Sequence, residues 1–344
     1  MNNQNQKGFT LVEIMVAAVV SLILLSGVIQ IFLSTKQTYR FGDAVSRMQE
    51  SGRFAIDILT RDIRMAGYQG CAQLGSIPAN IIANNPPVTS FNQEAITGWE
   101  YTGSWAPTTP AQPAGITSLV KANTDVISIK HASSTGMKLT GNLIVDNANI
   151  QIAAITVGLV ANDVLFISDC ETVDVFRATN VSNGGGTVTI AHANSANTTN
   201  KLSKAYGTDA TLYSFDDNVY FVGPTGRTNG HGQAIFALFR RDIRGNIDEL
   251  VEGVENMQVL YGERAANGNI RYVPATNGTL DMTLVVSVRI AILVHSLDPV
   301  NSTTDSTVYN VAGTSIGPTG TVTHDQDKRI RRVFVTTVKL RNRR

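Results

Sequence analysis

Twenty consecutive residues, Ile14 to Leu33, carry no charge, and only small or weakly polar residues such as Ser21, Ser26, Gly27 and Gln30 interrupt their apolar character. At about 1.5 Å per residue, a helix of that length matches the roughly 30 Å hydrocarbon core of a bilayer. A short polar leader, Met1 to Lys7, precedes the run, and the junction reads Gly8-Phe9-Thr10-Leu11-Val12-Glu13. Gly8 gives a protease easy access to the backbone. Glu13 sits just inside the apolar block. An ionisable group at the bilayer centre costs roughly 2.5–3.5 kcal/mol even on lenient insertion scales, so such a group usually has a partner.

Two plain accounts compete for this segment. A secretory signal would have a basic start, a shorter apolar core and a small-residue cleavage site after that core. Here the run is too long, and Ser34-Thr35-Lys36-Gln37 continues as helix. An uncleaved anchor fits better. It explains Glu13 as half of a capping box, with Thr10 as N-cap and the carboxylate reaching back to the Thr10 backbone. Charge does not set the orientation, because Lys7 flanks one side and Lys36 and Arg40 the other.

The same residues, Gly8-Phe9-Thr10-Leu11-Val12-Glu13, resemble the leader and N-terminus of type IV pilins and type II secretion pseudopilins. The resemblance implies cleavage between Gly8 and Phe9 by a prepilin peptidase, and N-methylation of Phe9. It also implies that Glu13 is the acidic residue five places into the mature chain, where it pairs with a neighbouring subunit's N-terminal amine. An unpaired charge inside a filament core costs several kcal/mol, so such a pair specifies register along the fibre. The leader would be cytoplasmic and the remainder periplasmic.

From Lys36 to Met65 there is no proline, and Val45, Met48, Ala55, Ile56, Leu59 and Ile63 form one apolar face at helical spacing. Asp43 with Arg47 and Asp57 with Arg61 are acid-first pairs four residues apart. Gly67 is the expected C-cap. The chain thus divides into a leader (1–8), a membrane or filament-core helix (9–35), its amphipathic continuation (36–66) and a β-rich body (67–344). The body is insertion-rich over 84–210 and ends in a sheet over 248–344.

Within the body, loop composition dominates 84–115, and strands are expected over 125–130, 149–155, 163–168, 173–178, 187–192, 210–215 and 218–222. Asn183-Gly184-Gly185-Gly186 reads as a hairpin turn between 173–178 and 187–192. A short helix is expected over 248–254 and a strand over 256–261. Leu284–Val294 alternates strictly, placing Val286, Val288, Ile290, Ile292 and Val294 on one face and Arg289 on the other, as in a half-buried strand. Near the end, Phe334, Val338 and Leu340 share a face.

Net charge is +1 with 16% charged residues, so no strong electrostatic footprint for nucleic acid is spread along the chain. The body is rich in Thr, Asn, Ser and Gly, as an exported strand-rich domain would be. In an oxidising compartment its two cysteines, Cys71 and Cys170, pair most simply, closing a loop worth roughly 4–5 kcal/mol in the chain-entropy model. Two buried thiols are the alternative.

Catalytic patterns fail on context. Gly313-Thr314-Ser315-Ile316-Gly317 has the letters of a nucleophile elbow, but Pro318 follows where a helix is required. Gly184-Gly185-Gly186 precedes a strand pattern and not a helix N-terminus. His131, His192, His231, His295 and His324 lack ligand spacing, and Asp216-Asp217 and Asp325–Asp327 lack that of a calcium loop. No catalytic residue, cofactor or metal is expected. The basic end, with Lys328, Arg329, Arg331, Arg332, Lys339, Arg341, Arg343 and Arg344, reads as the charged solvent face of an edge strand; a nucleic-acid contact is the weaker alternative.

Later blocks narrow the resemblance. Glu249 to Gly262 (ELVEGVENMQVLYG), Ser287-Val288-Arg289-Ile290, Ser168-Asp169-Cys170 and the stretch from Arg332 to Arg341 resemble minor pilins of the PilW family. This implies an α+β pilin-like fold, a long N-terminal helix on an antiparallel β-sheet, and no enzymatic activity. It implies a structural role in priming pilus assembly at or near the tip. The implied partners are other minor pilins, the major pilin, the prepilin peptidase, the inner membrane before assembly and a tip adhesin. A minor pseudopilin of type II secretion, or a membrane-anchored adhesin or enzyme that never polymerises, are the rival assignments.

Overall fold

The structure, a computed structural model, describes residues 10–71, 77–86, 88, 90–153 and 158–342. One helix dominates it: α1 runs without a break from Leu11 to Met65, 55 residues, about 80 Å at the standard rise. The expected ion pairs Asp43–Arg47 and Asp57–Arg61 lie on its exposed side at 3.0 and 3.4 Å. The helix stops at Ala66, and Gly67 takes a positive φ of 71° that ends the spiral cheaply.

In chain order, the elements that follow begin with β1 (Asn80–Ile81), a one-turn α2 (Phe91–Glu94), β2 (Ile96–Tyr101), β3 (Trp105–Ala106), β4 (Thr124–Ala132) and β5 (Met137–Lys138). Next come β6 (Ile150–Ala153), β7 (Val164–Ser168), β8 (Val173–Arg177), β9 (Asn180–Gly184), β10 (Thr187–Ala191) and the long β11 (Thr211–Thr228). The chain closes with β12 (Ala234–Arg241), β13 (Ile247–Glu252), β14 (Val254–Arg264), β15 (Ile270–Val273), β16 (Val285–His295), β17 (Tyr309–Val311), β18 (Thr314–Ile316) and β19 (Arg331–Lys339).

The two expected strands over 210–222 are one, β11, and its length organises the body. Residues 211–214 pair with β5 and β7, 215–220 with β4, and 219–228 with β12. The resulting sheet has the order β1-β8-β7-β11-β4-β2-β3, with β12 and β13 branching from β11. Its pairs are antiparallel except β1 with β8. A small sheet, β6-β10-β9, sits on the insertion, and a second major sheet runs β15-β14-β16-β19. The largest core lies where the buried stripe of α1 meets that second sheet and the inner faces of β4, β11 and β12. Two further cores fill the insertion.

Three expectations are corrected. Residues 248–254 form no helix: Ile247–Glu252 is β13, an edge strand on β12. Leu250, Val251 and Val254 mimic helical spacing, but the backbone pairs with β12, and the partly exposed Arg240–Asp248 and Arg227–Glu249 pairs add to that ladder. At its end Gly253, at φ 85°, bends the chain into β14, and a Cβ there would meet the His295 carbonyl at 2.9 Å. The glycine turn does not join 173–178 to 187–192. Asn180–Gly184 is itself a strand, β9, and Gly185–Gly186, both at positive φ, form its two-residue hairpin to β10 while β8 pairs with β7. Finally, β16 is buried on both faces, because the β17–β18 hairpin covers Ala291 and Leu293.

Candidate assembly helix and its seat

The outer half of α1 is left uncovered by the body. Every described residue up to Gly42 is exposed, including Leu11, Ile14, Leu22, Ile23, Leu24, Ile31 and Phe32, each at least 60% accessible. It is the one helix among the described residues long and apolar enough to cross a membrane. Two of its hydroxyls are satisfied within the helix itself. The Ser26 hydroxyl donates to the Ile23 carbonyl at 2.8 Å and the Thr38 hydroxyl to the Ser34 carbonyl at 3.0 Å. Such back-bonding hides a hydroxyl from an apolar surrounding.

Glu13 is held the same way. The Thr10 backbone N–H and hydroxyl each donate to Glu13 Oε2 at 2.9 Å, and the Glu13 N–H donates to Thr10 Oγ1 at 3.3 Å. The capping box is therefore complete. It engages Oε2, and no hydrogen bond to Oε1 is formed among the described residues, so a cation can still be received there. Gly8 and Phe9 lie outside the described residues.

The inner half of α1 is seated by a single stripe: Met48, Gly52, Ala55, Leu59 and Ile63 are buried. Val45 and Ile56, expected on that face, are only partly covered. Gly52 was not foreseen. The Phe334 ring of β19 lies directly over it, and a Cβ built at Gly52 would fall 2.6 Å from Cδ2 and closer still to Cε2 and Cζ.

Two polar latches secure the far end of the helix. Asp62 receives His131 Nε2 at 2.9 Å from β4, and Asn218 Nδ2 and Tyr220 Oη at 3.0 Å from β11. His131 Nδ1 faces the Ala132 carbonyl at 2.8 Å, and Asp216 lies 3.8 Å away. Both ring nitrogens face acceptors, so the imidazolium fits the site best. Burial pushes the His131 pKa down, but the Asp62 hydrogen bond and charge, with Ala132 and Asp216, outweigh it and raise the value. The second latch is Asn342, whose amide donates to the Met65 and Ala66 carbonyls at 3.3 and 3.1 Å and so caps the helix C-terminus.

Just past the helix, Cys71 is bonded to Cys170 in the β7–β8 turn, with Cα atoms 4.9 Å apart. The expectation that the pair bridges agrees with this geometry. The disulfide ties the end of the helix to the insertion.

The basic end is sorted into two groups, which corrects the expectation of a solvent face. Arg329 and Arg331 are buried. Arg331 pairs with Glu255 at 2.7 Å, Asp327 at 3.0 Å and Asp305 at 3.1 Å, and Arg329 with Asp327 and Asp325. Burial, assisted by these guanidinium groups and opposed by Glu255, lowers the neighbouring His295 to about 4. Arg332, Lys339 and Arg341 remain exposed, and Arg343 and Arg344 lie outside the described residues. The elbow-like Ser315 lies on β18 in a hairpin paired with Asn310, not ahead of a helix.

The sequence missed the Gly52 seat, Asp62, His131 as a latch, and Asn342. Gly52 carried a signal, since it falls in the helical register between Met48 and Ala55; the polar partners are 69 or more positions apart and carried none.

Comparison with known proteins adds three findings. Residues 219–342 match the PilW family, described as type IV pilus-assembly protein W, and residues 3–29 match the prokaryotic N-terminal methylation motif. Over 62 residues the chain is 36% identical to the pilin-like protein PilA3 of Thermus thermophilus, a match covering 18% of this chain and 27% of that protein. No solved structure matches.

Proposed function

We propose that this chain, whose residues 219–342 match the PilW family and whose start matches the methylation motif, is a minor pilin acting in the priming of pilus assembly at or near the fibre tip. One observation carries this: a single continuous helix is bare and apolar over its outer half and locked into the body over its inner half. A plain anchor needs only the first of these. A subunit that must leave the bilayer and transmit position along a fibre needs both.

In this proposal the peptidase cuts between Gly8 and Phe9, Phe9 is methylated, and the outer half of α1 moves from the inner membrane into the filament core. The body stands on the periplasmic side and then at the cell surface. Glu13 offers Oε1 to a neighbour's terminal amine while Thr10 holds Oε2, so the carboxylate is pre-oriented before assembly. The partners are other minor pilins, the major pilin and a tip adhesin. No catalysis and no cofactor are part of the role.

Glu13→Ala should leave cleavage largely intact and lower pilus assembly; normal piliation in that variant would sink the pairing role. N-terminal sequencing of the mature protein should begin at Phe9. An intact Met1 would overturn the pilin assignment, and recovery with a secretion apparatus in place of sheared surface pili would move the chain to the pseudopilins.

A further inference from the structure

The last strand leaves an open edge. β19 pairs with β16 in unbroken register, from Ser287 opposite Lys339 to His295 opposite Arg331, and the four-stranded sheet ends there. Proteins blunt such edges with short strands, bulges, prolines or charge. β19 is nine residues long, has no bulge and contains no proline. Its centre, Val333-Phe334-Val335-Thr336-Thr337, consists of β-branched and aromatic residues with high strand preference. Val335 is 56% exposed. Charge alone protects the edge, and it is placed at the two ends.

Those end charges differ from their neighbours. Arg329 and Arg331 are consumed by Glu255, Asp305, Asp325 and Asp327. Arg332, Lys339 and Arg341 are exposed and make no ion pair among the described residues. Arg332 and Lys339 are seven positions apart, about 24 Å in an extended strand. A second copy of β19 would bring positive ends to positive ends in either orientation, which opposes self-pairing.

We infer that β19 is a docking edge for an extended segment of a different pilus subunit, one with a β-branched centre and carboxylates at both ends about seven residues apart. Backbone hydrogen bonds along Val333–Thr337 supply the affinity, and Arg332 and Lys339 select the partner. The inference rests on the pilin assignment only for the source of the segment; the edge itself is tested on the isolated chain.

The test uses full-length protein in detergent micelles and an eight-residue peptide with aspartate at both ends and alternating valine and threonine between. A lysine-ended version is the control. Anisotropy of the labelled peptide and hydrogen–deuterium exchange over residues 331–339 are the readouts. The aspartate peptide should bind at least tenfold more tightly than the control and slow exchange at Val333–Thr337. Arg332→Glu with Lys339→Glu should reverse the preference without changing the melting temperature. Equal binding of both peptides, or no protection in β19, overturns the inference. So does a 20-base-pair DNA duplex that binds through the same two charges when the peptide does not. Peptide binding alongside normal piliation of the Glu13→Ala variant would uphold the edge while refuting the pairing role of Glu13.

Discussion

Adding one methyl group to α1 should have opposite effects at two of its glycines. At Gly42 no atom lies within 4 Å of a built Cβ, so Gly42→Ala gains only the helix preference of alanine, about 0.8–1 kcal/mol. At Gly52 the same methyl would meet the Phe334 ring at 2.6 Å or less, where carbon contacts settle near 3.5–4.0 Å, so helix or ring must give by about 1 Å. Overpacking of that kind costs about 1–3 kcal/mol. Set against the helix gain, Gly52→Ala should be neutral to destabilising by about 2 kcal/mol, and 1–3 kcal/mol worse than Gly42→Ala. Urea unfolding of the detergent-solubilised protein, followed by fluorescence of the buried Trp99, measures both. Phe334→Leu in the Gly52→Ala background should recover part of the loss, with a coupling of at least about 0.5 kcal/mol. If the two alanine variants change stability equally, within about 0.5 kcal/mol, α1 is not seated on β19 as described.

Two further predictions concern the Asp62–His131 latch and the disulfide. The raised His131 pKa means that its contribution is fully present below the unfolded value of about 6.5 and is lost as pH rises through the folded value. Stability should therefore fall from near-neutral into mildly alkaline pH, and Asp62→Asn should flatten that slope; an unchanged slope in the variant would place the titration elsewhere. Reducing the Cys71–Cys170 bond, whose cysteines lie 99 positions apart, should lower unfolding free energy by about 4–5 kcal/mol. A loss below about 1 kcal/mol would show that the reduced chain keeps those segments together, since the entropic account demands the larger figure.

The helix was legible because its signals are local: an uncharged run, a capping box, a proline-free period of 3.6 and a terminal glycine all lie within 58 positions of one another, from Thr10 to Gly67. The Thr10–Glu13 capping box was legible for the same reason. β13 was not, because Leu250, Val251 and Val254 fit a helix until β12 supplies the backbone partners that make the segment a strand. The basic end misled in the opposite way. Alternating arginines suggest a wet face, and nothing local reveals that Glu255 and Asp305 wait in the interior for Arg331. Pairing across such distances is what tertiary structure decides and what period and composition leave open.

The polar groups of the two halves obey different rules, and the difference bears on how such a chain changes surroundings. In the outer helix, Glu13, Ser26 and Thr38 are satisfied within four residues of themselves. In the body, buried polar groups join segments remote in sequence. Asp62 binds β4 and β11; Asp174, fully buried, accepts from Ser203 Oγ at 2.8 Å and Tyr206 Oη at 2.6 Å; Arg331 gathers Glu255, Asp305 and Asp327. These local bonds survive an exchange of lipid for protein, so the transfer changes apolar contacts more than the hydrogen bonds of these three residues. A body locked by long-range pairs cannot follow that change of solvent, because opening any pair strands a buried charge at a cost of about 3–5 kcal/mol. The outer helix can therefore be transferred while the seat at Gly52, Asp62 and Asn342 stays closed, and the body moves as a unit with it.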